Sequence, residues 1–153
     1  MTSVKGLRRR PVPEGVAGAH VPMMAGWLLE QVRGELGRGD LGDLRSSHFR
    51  VLSCVPPRGI SVTELAAASA MTKQAAGQFV TYLEGTGHLT TRPDPQDRRV
   101  RLVVRTPQGD RTVRAVGTRI ARIERRWARE VGPDRFATFR AVLHDLTVAS
   151  PDA

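Results

Sequence analysis

The residues best equipped for chemistry lie between Ser61 and Arg105, and their chemistry is that of donors and acceptors rather than of bond breaking. Gln74, Gly77, Gln78 and Thr81 recur three and four positions apart, the spacing of one helix face, and this face is polar and free of bulky apolar groups. Ala76, Phe79, Val80 and Leu83 occupy the other side and are expected to face a core. Downstream, the run Pro93-Asp94-Pro95-Gln96-Asp97-Arg98 has the composition of a turn and is followed by Arg99. By contrast, the chain contains no nucleophile–base pair, no phosphate-binding glycine loop and no cluster with metal-ligand spacing. Ser46-Ser47-His48 is too local to be a catalytic group, and His20, His48, His88 and His144 are far apart in sequence. An enzyme is therefore not expected, and no cofactor is expected.

Several elements must position that stretch. Ser61-Val62-Thr63-Glu64 matches a capping box and predicts a short helix with Leu65 and Ala66 inward. Small residues from Ala66 to Ala70 allow close approach of a second helix starting near Thr72 and ending at Gly85-Thr86-Gly87. His88 to Arg92 leads into a strand, and Val100, Leu102 and Val104 alternate with Arg99, Arg101, Val103 and Arg105 in the period of a half-buried second strand. Two short helices, a tight turn and a two-stranded hairpin with a charged tip form the pattern of a winged helix-turn-helix. The expected fold is mainly α with a small β wing, in which that lobe is joined to a helical dimerisation domain.

Upstream, Val21, Met24, Leu28, Val32 and Leu36 share one helix face, widened by Trp27 and Leu29. Gly37, Gly39 and Gly42 end this helix, and the next carries Phe49, Leu52 and Val55 before Pro56-Pro57-Arg58-Gly59 stops it. Downstream, Thr106 caps a long helix with Pro107 at its first position, and Val113, Val116, Ile120, Ile123 and Trp127 form a near-heptad seam. Arginines fill its other faces. Gly132-Pro133-Asp134 starts a last helix with Phe136, Phe139, Val142, Leu143 and Leu146 as its expected buried stripe. The resulting division is a basic arm over 1–18, a dimerisation helix within 19–40, the winged lobe over 41–105, two further dimerisation helices over 106–148 and a tail over 149–153. In the arm, Arg8, Arg9 and Arg10 are either solvated or in contact with phosphate.

Composition sets the remaining bounds. The 153 residues carry a formal net charge of +9, which attracts polyanions at long range. Only Lys5 and Lys73 are lysines, so the distribution of the arginines is more informative than their total. No apolar run reaches the roughly 18 residues of a membrane span, and no apolar segment follows the N-terminal basic residues. A soluble, cytoplasmic protein with no membrane partner is expected. Cys54 is the only cysteine, and its position beside Leu52 and Val55 suggests a small buried hydrophobe.

With these motifs in order, the sequence resembles the MarR family of bacterial transcriptional regulators over roughly Val21 to Leu146. Asp94-Pro95-Gln96-Asp97-Arg98-Arg99 matches the family's Asp-x-x-Asp-x-Arg wing, and Thr106-Pro107-Gln108-Gly109 matches its Thr-x-x-Gly helix opening. Leu83-Glu84-Gly85-Thr86-Gly87-His88-Leu89 looks like the family's recognition-helix ending. The resemblance implies a homodimer whose first and last two helices share one helical domain; a monomer with these helices folded back on each other is the alternative.

It also implies double-stranded DNA as partner. Thr72 and Lys73 would then anchor the backbone at the recognition helix N-terminus, where free amides and the dipole favour phosphate. Gln74 and Gln78 would read base edges, glutamine suiting adenine's paired donor and acceptor, while Gly77 permits close approach beside Thr81. Ser61 and Thr63 are further phosphate contacts. Arg99, held by Asp97 in a charge-assisted pair, is the first choice to enter the minor groove, with Arg98 second. In the competing reading, Asp94, Asp97 and Arg99 only stabilise the turn. Ala75-Ala76-Gly77 leaves fewer contacting side chains than is usual in the family, and Thr91 stands where a basic residue is frequent, shifting specificity toward shape and the wing. By element, Met23, Met24, Trp27, His48, Arg50 and Tyr82 are candidates for a small phenolic or anionic ligand. The expected function is a homodimeric regulator, a repressor released by a small molecule from a pseudo-palindromic operator. The alternative is a sequence-independent DNA-binding or protein-interaction module without ligand response.

Overall fold

The computed structural model describes residues 20–36 and 44–148. The expected arm at 1–18, its arginines, the glycines at 37, 39 and 42 and the tail lie outside them. The described order is α1 (Val21–Leu36), α2 (Ser46–Ser53), β1 (Ile60–Ser61), α3 (Val62–Ala68), α4 (Lys73–Gly85), β2 (Leu89–Pro93), β3 (Arg101–Arg105), α5 (Pro107–Val131) and α6 (Pro133–Val148). The fold is mainly helical with one small antiparallel sheet, as expected. No helix among the described residues is long and apolar enough to cross a membrane.

The ends of these helices follow from their capping residues. Ser61 and Glu64 close the predicted box: Ser61 Oγ accepts from the Glu64 N–H at 3.2 Å, and Glu64 Oε2 accepts from the Ser61 N–H at 3.0 Å. Thr72 Oγ1 accepts from the Ala75 N–H at 3.2 Å, and Thr106 Oγ1 from the Gly109 N–H at 3.1 Å. Each bond satisfies an amide that the helix itself leaves free.

The core belongs to the winged lobe. Phe49, Val51 and Leu52 of α2, Leu65 of α3, Val80 and Leu83 of α4, Leu89, Val103 and Val116 form one buried cluster with Leu36 and Leu44. Val51, fully buried, is an addition to the expected α2 face. Cys54 is half-buried rather than enclosed; it packs against the cluster, and its Sγ lies 3.5 Å from the Ala68 carbonyl.

Two expectations need correction. The sheet has three strands in the order β1-β3-β2, with Ile60 opposite Val103 and Ser61 opposite Leu102. β1 spans only two residues, too few to show alternation, and forms because Gly59, at φ +91°, turns the chain against β3. A Cβ on Gly59 would stand 2.7 Å from Val104 Cγ1. Secondly, the fully buried residue of β3 is Val103, from the set that includes the arginines, while Leu102 and Val104 are half-buried. As the central strand, β3 has neighbours on both edges, and its Val103 face points to the helices.

Within the single chain the two expected dimerisation stripes differ. Val116 and Ile123 are buried within the single chain, where α5 packs on α1, α2 and β3, so much of the seam is covered without a second copy. An ion pair from Arg126 of α5 to Glu35 of α1 closes the α1 side of that contact. The α6 stripe, expected to be covered within a shared dimer domain, lies open in the single chain: Phe136 is half-buried, and Phe139, Val142, Leu143 and Leu146 are exposed, Leu146 to 67%. On α1 only Leu36 is buried, and Val21 and Met24 face solvent. Among the described residues α6 packs chiefly on α5.

Candidate nucleic-acid interface

α4 presents the face that its sequence spacing predicts. Ala76, Val80 and Leu83 are buried, whereas Lys73, Gln74, Gln78 and Thr81 are exposed. Its first turn carries no acidic residue, so Lys73 reinforces the positive end of the helix dipole. A Cβ on Gly77 would meet nothing within 4 Å, so in the free protein that position is an open notch in the face. Thr81 is turned back on its own helix, its hydroxyl donating to the Gly77 carbonyl at 3.0 Å.

The helix pair is set by a strained turn. Ala70 adopts φ +50°, a left-handed conformation that costs an L-residue roughly 1–2 kcal/mol. The Met71 N–H to Ala66 carbonyl bond of 2.9 Å and the buried Ser69, whose hydroxyl donates to Leu65 O at 2.6 Å, hold it. Ser61 and Thr63 stand at the start of α3. Thr63 is exposed, but the Ser61 hydroxyl is committed locally, donating to Glu64 Oε2 at 2.7 Å. That hydroxyl and the Ser61 N–H hold the Glu64 carboxyl below the usual glutamate range.

The wing tip is stapled by its aspartates through the backbone. Asp94 Oδ1 accepts from the Gln96 N–H at 2.8 Å, and Asp97 Oδ1 accepts from the Arg99 N–H at 3.0 Å. The Asp94 N–H reaches the Val100 carbonyl at 2.9 Å, and the Val100 N–H reaches the Asp97 carbonyl at 2.9 Å. The expected guanidinium pair between Asp97 and Arg99 is not formed. Asp97 instead shapes the turn, because its short side chain bonds most readily two residues ahead. The Arg98 and Arg99 side chains are thereby left exposed at the tip.

Long-range contacts that the sequence did not suggest lock this wing to α4. Thr91 Oγ1 donates to Glu84 Oε1, joining β2 to α4. The Thr106 hydroxyl donates to the Gly87 carbonyl at 2.6 Å, and the Thr106 N–H to the His88 carbonyl at 3.1 Å. Arg105 bolts three elements together, with Nε 2.8 Å from Asp110 Oδ1 and Nη1 2.6 Å from the Val55 carbonyl. Gly109 completes the junction: a Cβ there would stand 2.1 Å from the His88 carbonyl oxygen. The Thr-x-x-Gly motif is thus a cap followed by a residue that must be bare. Behind the wing, Arg92 Nη2 donates to the Arg58 carbonyl at 3.3 Å, and both arginines line a cleft of about 530 Å³ with Glu64, Asp94 and Gln96. Only the local excess of arginine hinted at that cleft.

None of the six ligand candidates lines that cleft, and their surroundings differ. His48 stacks on Tyr82 at 4.4 Å and meets Phe79 edge-on at 5.5 Å, and its Nδ1 accepts from the Arg45 N–H at 2.8 Å. Burial, then Arg45 and His88, lower the His48 pKa; burial likewise lowers that of His88. The Arg50 guanidinium is used on the Ser69 carbonyl. Met23 and Met24 are exposed on α1, and Trp27 is half-buried. An apolar pocket of about 440 Å³ lies instead between α1, α5 and α6, against Leu28, Trp127, Phe136 and Phe139. No group of three potential metal ligands occurs among the described residues.

A capped helix with a polar outward face, preceded by a short helix and flanked by an arginine-tipped wing, defines the class of winged helix-turn-helix DNA-binding proteins. The model described as MarR family matches residues 43–100, the lobe that carries these features. Over that lobe the chain is similar to the MarR family of transcriptional regulators.

Solved structures share the fold at low identity. CouR from Rhodococcus jostii RHA1, solved bound to p-coumaroyl-CoA, is 19% identical with a TM-score of 0.72, covering 90% of this chain and 98% of CouR. PcaV from Streptomyces coelicolor, in complex with its natural ligand, is 22% identical with a TM-score of 0.68, over 90% and 98% of the two chains. The repressor CouR bound to a 23-mer DNA duplex is 22% identical with a TM-score of 0.69, over 84% and 92%. No curated protein matches the chain.

Proposed function

We propose that the protein is a homodimeric repressor that binds a pseudo-palindromic operator and is released by a small phenolic or anionic molecule. The carrying observation is the pairing of α4, with Lys73, Gln74 and Gln78 outward, and a wing whose backbone staples leave Arg98 and Arg99 exposed. On this reading Thr72 and Lys73 contact phosphate, Gln74 and Gln78 reach base edges and Gly77 admits the groove wall. Arg99, then Arg98, enters the minor groove, and Thr63 adds a phosphate contact. Ser61, committed to its cap, contributes through helix position. Asp97 acts by shaping the wing.

Dimerisation is supported by the apolar faces that one chain leaves open on α1 and α6, while α5 connects them to the lobe. The described helices of 19–40 and 106–148 would form that shared domain, and 41–105 the reading lobe. Two half-sites about one helical turn apart follow from two lobes related by a two-fold axis. Ligand release is supported by relatives solved with p-coumaroyl-CoA and with 6-hydroxynicotinic acid. Such a protein works by binding in the cytoplasm, with neither catalysis nor a cofactor.

The experiment is footprinting on the intergenic DNA beside the gene, with the wild type and with Gln74→Ala and Arg99→Ala. A protected pseudo-palindrome that weakens in both variants supports the reading. Equal affinity for that site and for random DNA overturns it.

A further inference from the structure

The outward face of α5 has no role in the reading above. Arg111, Arg114, Arg122, Arg125 and Arg129 are all exposed and fall three or four residues apart once Thr118 is included. At a 1.5 Å rise per residue they form a stripe about 27 Å long. It lies opposite the seam of Val113, Val116, Ile120, Ile123 and Trp127, whose residues are buried or half-buried within the chain. None of the five is in an ion pair among the described residues. The one carboxylate a turn away from the stripe, Asp110, is held by Arg105 at 2.8 Å. Like charges repel along such a helix face, so an external polyanion would relieve what the chain itself leaves unneutralised.

The geometry points to a second nucleic-acid surface: the α5 arginine stripe binds the phosphate backbone of duplex DNA without regard to sequence. The stripe's chemistry selects this occupant. It contains no apolar or aromatic anchor, which a protein partner would need for a buried centre and a membrane for insertion. Arginine presents a planar fork matched to phosphate oxygens, and a duplex offers about one phosphate per 1.7 Å of axis, ample for five guanidinium groups over this length. The surface lies on a different element from α4 and the wing, so it does not depend on operator recognition.

The test uses the full chain with the lobe disabled by Lys73→Gln, Arg98→Gln and Arg99→Gln. Binding to a random-sequence duplex is followed by fluorescence anisotropy between 50 and about 200 mM salt, the range over which phosphate contacts are lost. Replacing the five stripe arginines by glutamine in that background is expected to lower affinity about 100-fold at the low-salt end and to remove about 4 from the log–log salt slope. The corresponding five Arg→Lys changes should restore most of both. Unchanged affinity and slope in the glutamine variant overturn the assignment. So does a change of oligomeric state in that variant, which would make the stripe a contact between copies. Displacement of the duplex by poly-glutamate at equal charge would also overturn it, in favour of an acidic protein.

Discussion

The same substitution at two glycines of α5 should have opposite effects. At Gly109 an added Cβ would lie 2.1 Å from the His88 carbonyl oxygen, about 0.9 Å inside the 3.0 Å that real Cβ atoms keep, and the obstacle is backbone. Either α5 or the β2 entry must move. Overpacking of this kind costs about 3 kcal/mol, and disturbing the Thr106 N–H bond to the His88 carbonyl adds about 1. The better helix propensity of alanine returns about 1 kcal/mol. Gly109→Ala should therefore destabilise the protein by about 3 kcal/mol and lower Tm by roughly 6–12 °C. At Gly117 a Cβ meets nothing within 4 Å, so Gly117→Ala should stabilise by up to about 1 kcal/mol. Urea unfolding of wild type and both variants at one protein concentration decides the matter. If Gly109→Ala unfolds within about 0.5 kcal/mol of wild type, the close packing at the wing junction is refuted.

Four further outcomes follow from the site. Arg105→Met should destabilise by about 2–4 kcal/mol in urea melts, since it removes a charge-assisted bond to a partly exposed Asp110 and strips the Val55 carbonyl of its donor. Asp97→Asn should leave DNA binding within a few-fold of wild type, because an amide oxygen can still accept the Arg99 N–H, whereas Asp97→Ala should weaken it; equal losses in gel-shift titrations would restore the guanidinium pair. Ala70→Gly should stabilise by about 1 kcal/mol by relieving the left-handed turn, as read by Tm. Burial lowers the pKa of His48 and His88, so the unfolded chain binds protons more readily; stability should fall as pH drops through about 6.5 and level off below the folded values. A His48→Gln, His88→Gln double variant should flatten that limb.

Features with local causes were legible in the sequence. The Ser61/Glu64 box, the Thr72 and Thr106 caps and the two faces of α4 depend on contacts within four residues, and all stand as the spacing predicts. The wing tip was legible as a turn. Which atoms of Asp97 and Arg99 meet was not, because residue type alone permits both a side-chain pair and a backbone staple. β1 escaped notice because two residues carry no period, and the buried face of β3 was misjudged because a central strand has apolar residues on both sides. The Arg105 bolt, the Thr91–Glu84 bond and the reason for Gly109 join residues that only the folded chain brings together. The heptad seam of α5 signalled a helix to be covered, yet not that α1, α2 and β3 of the same chain would cover so much of it.

The central claim is that α4 and the wing read a particular DNA sequence. Competition binding tests it most directly: protein bound to a footprinted site is challenged with a 100-fold excess of random duplex of equal length, for wild type and Gln74→Ala. The account predicts that wild type stays bound, as specific sites exceed non-specific ones by at least about 10³-fold, and that Gln74→Ala is displaced. Displacement of wild type at the same excess would contradict it.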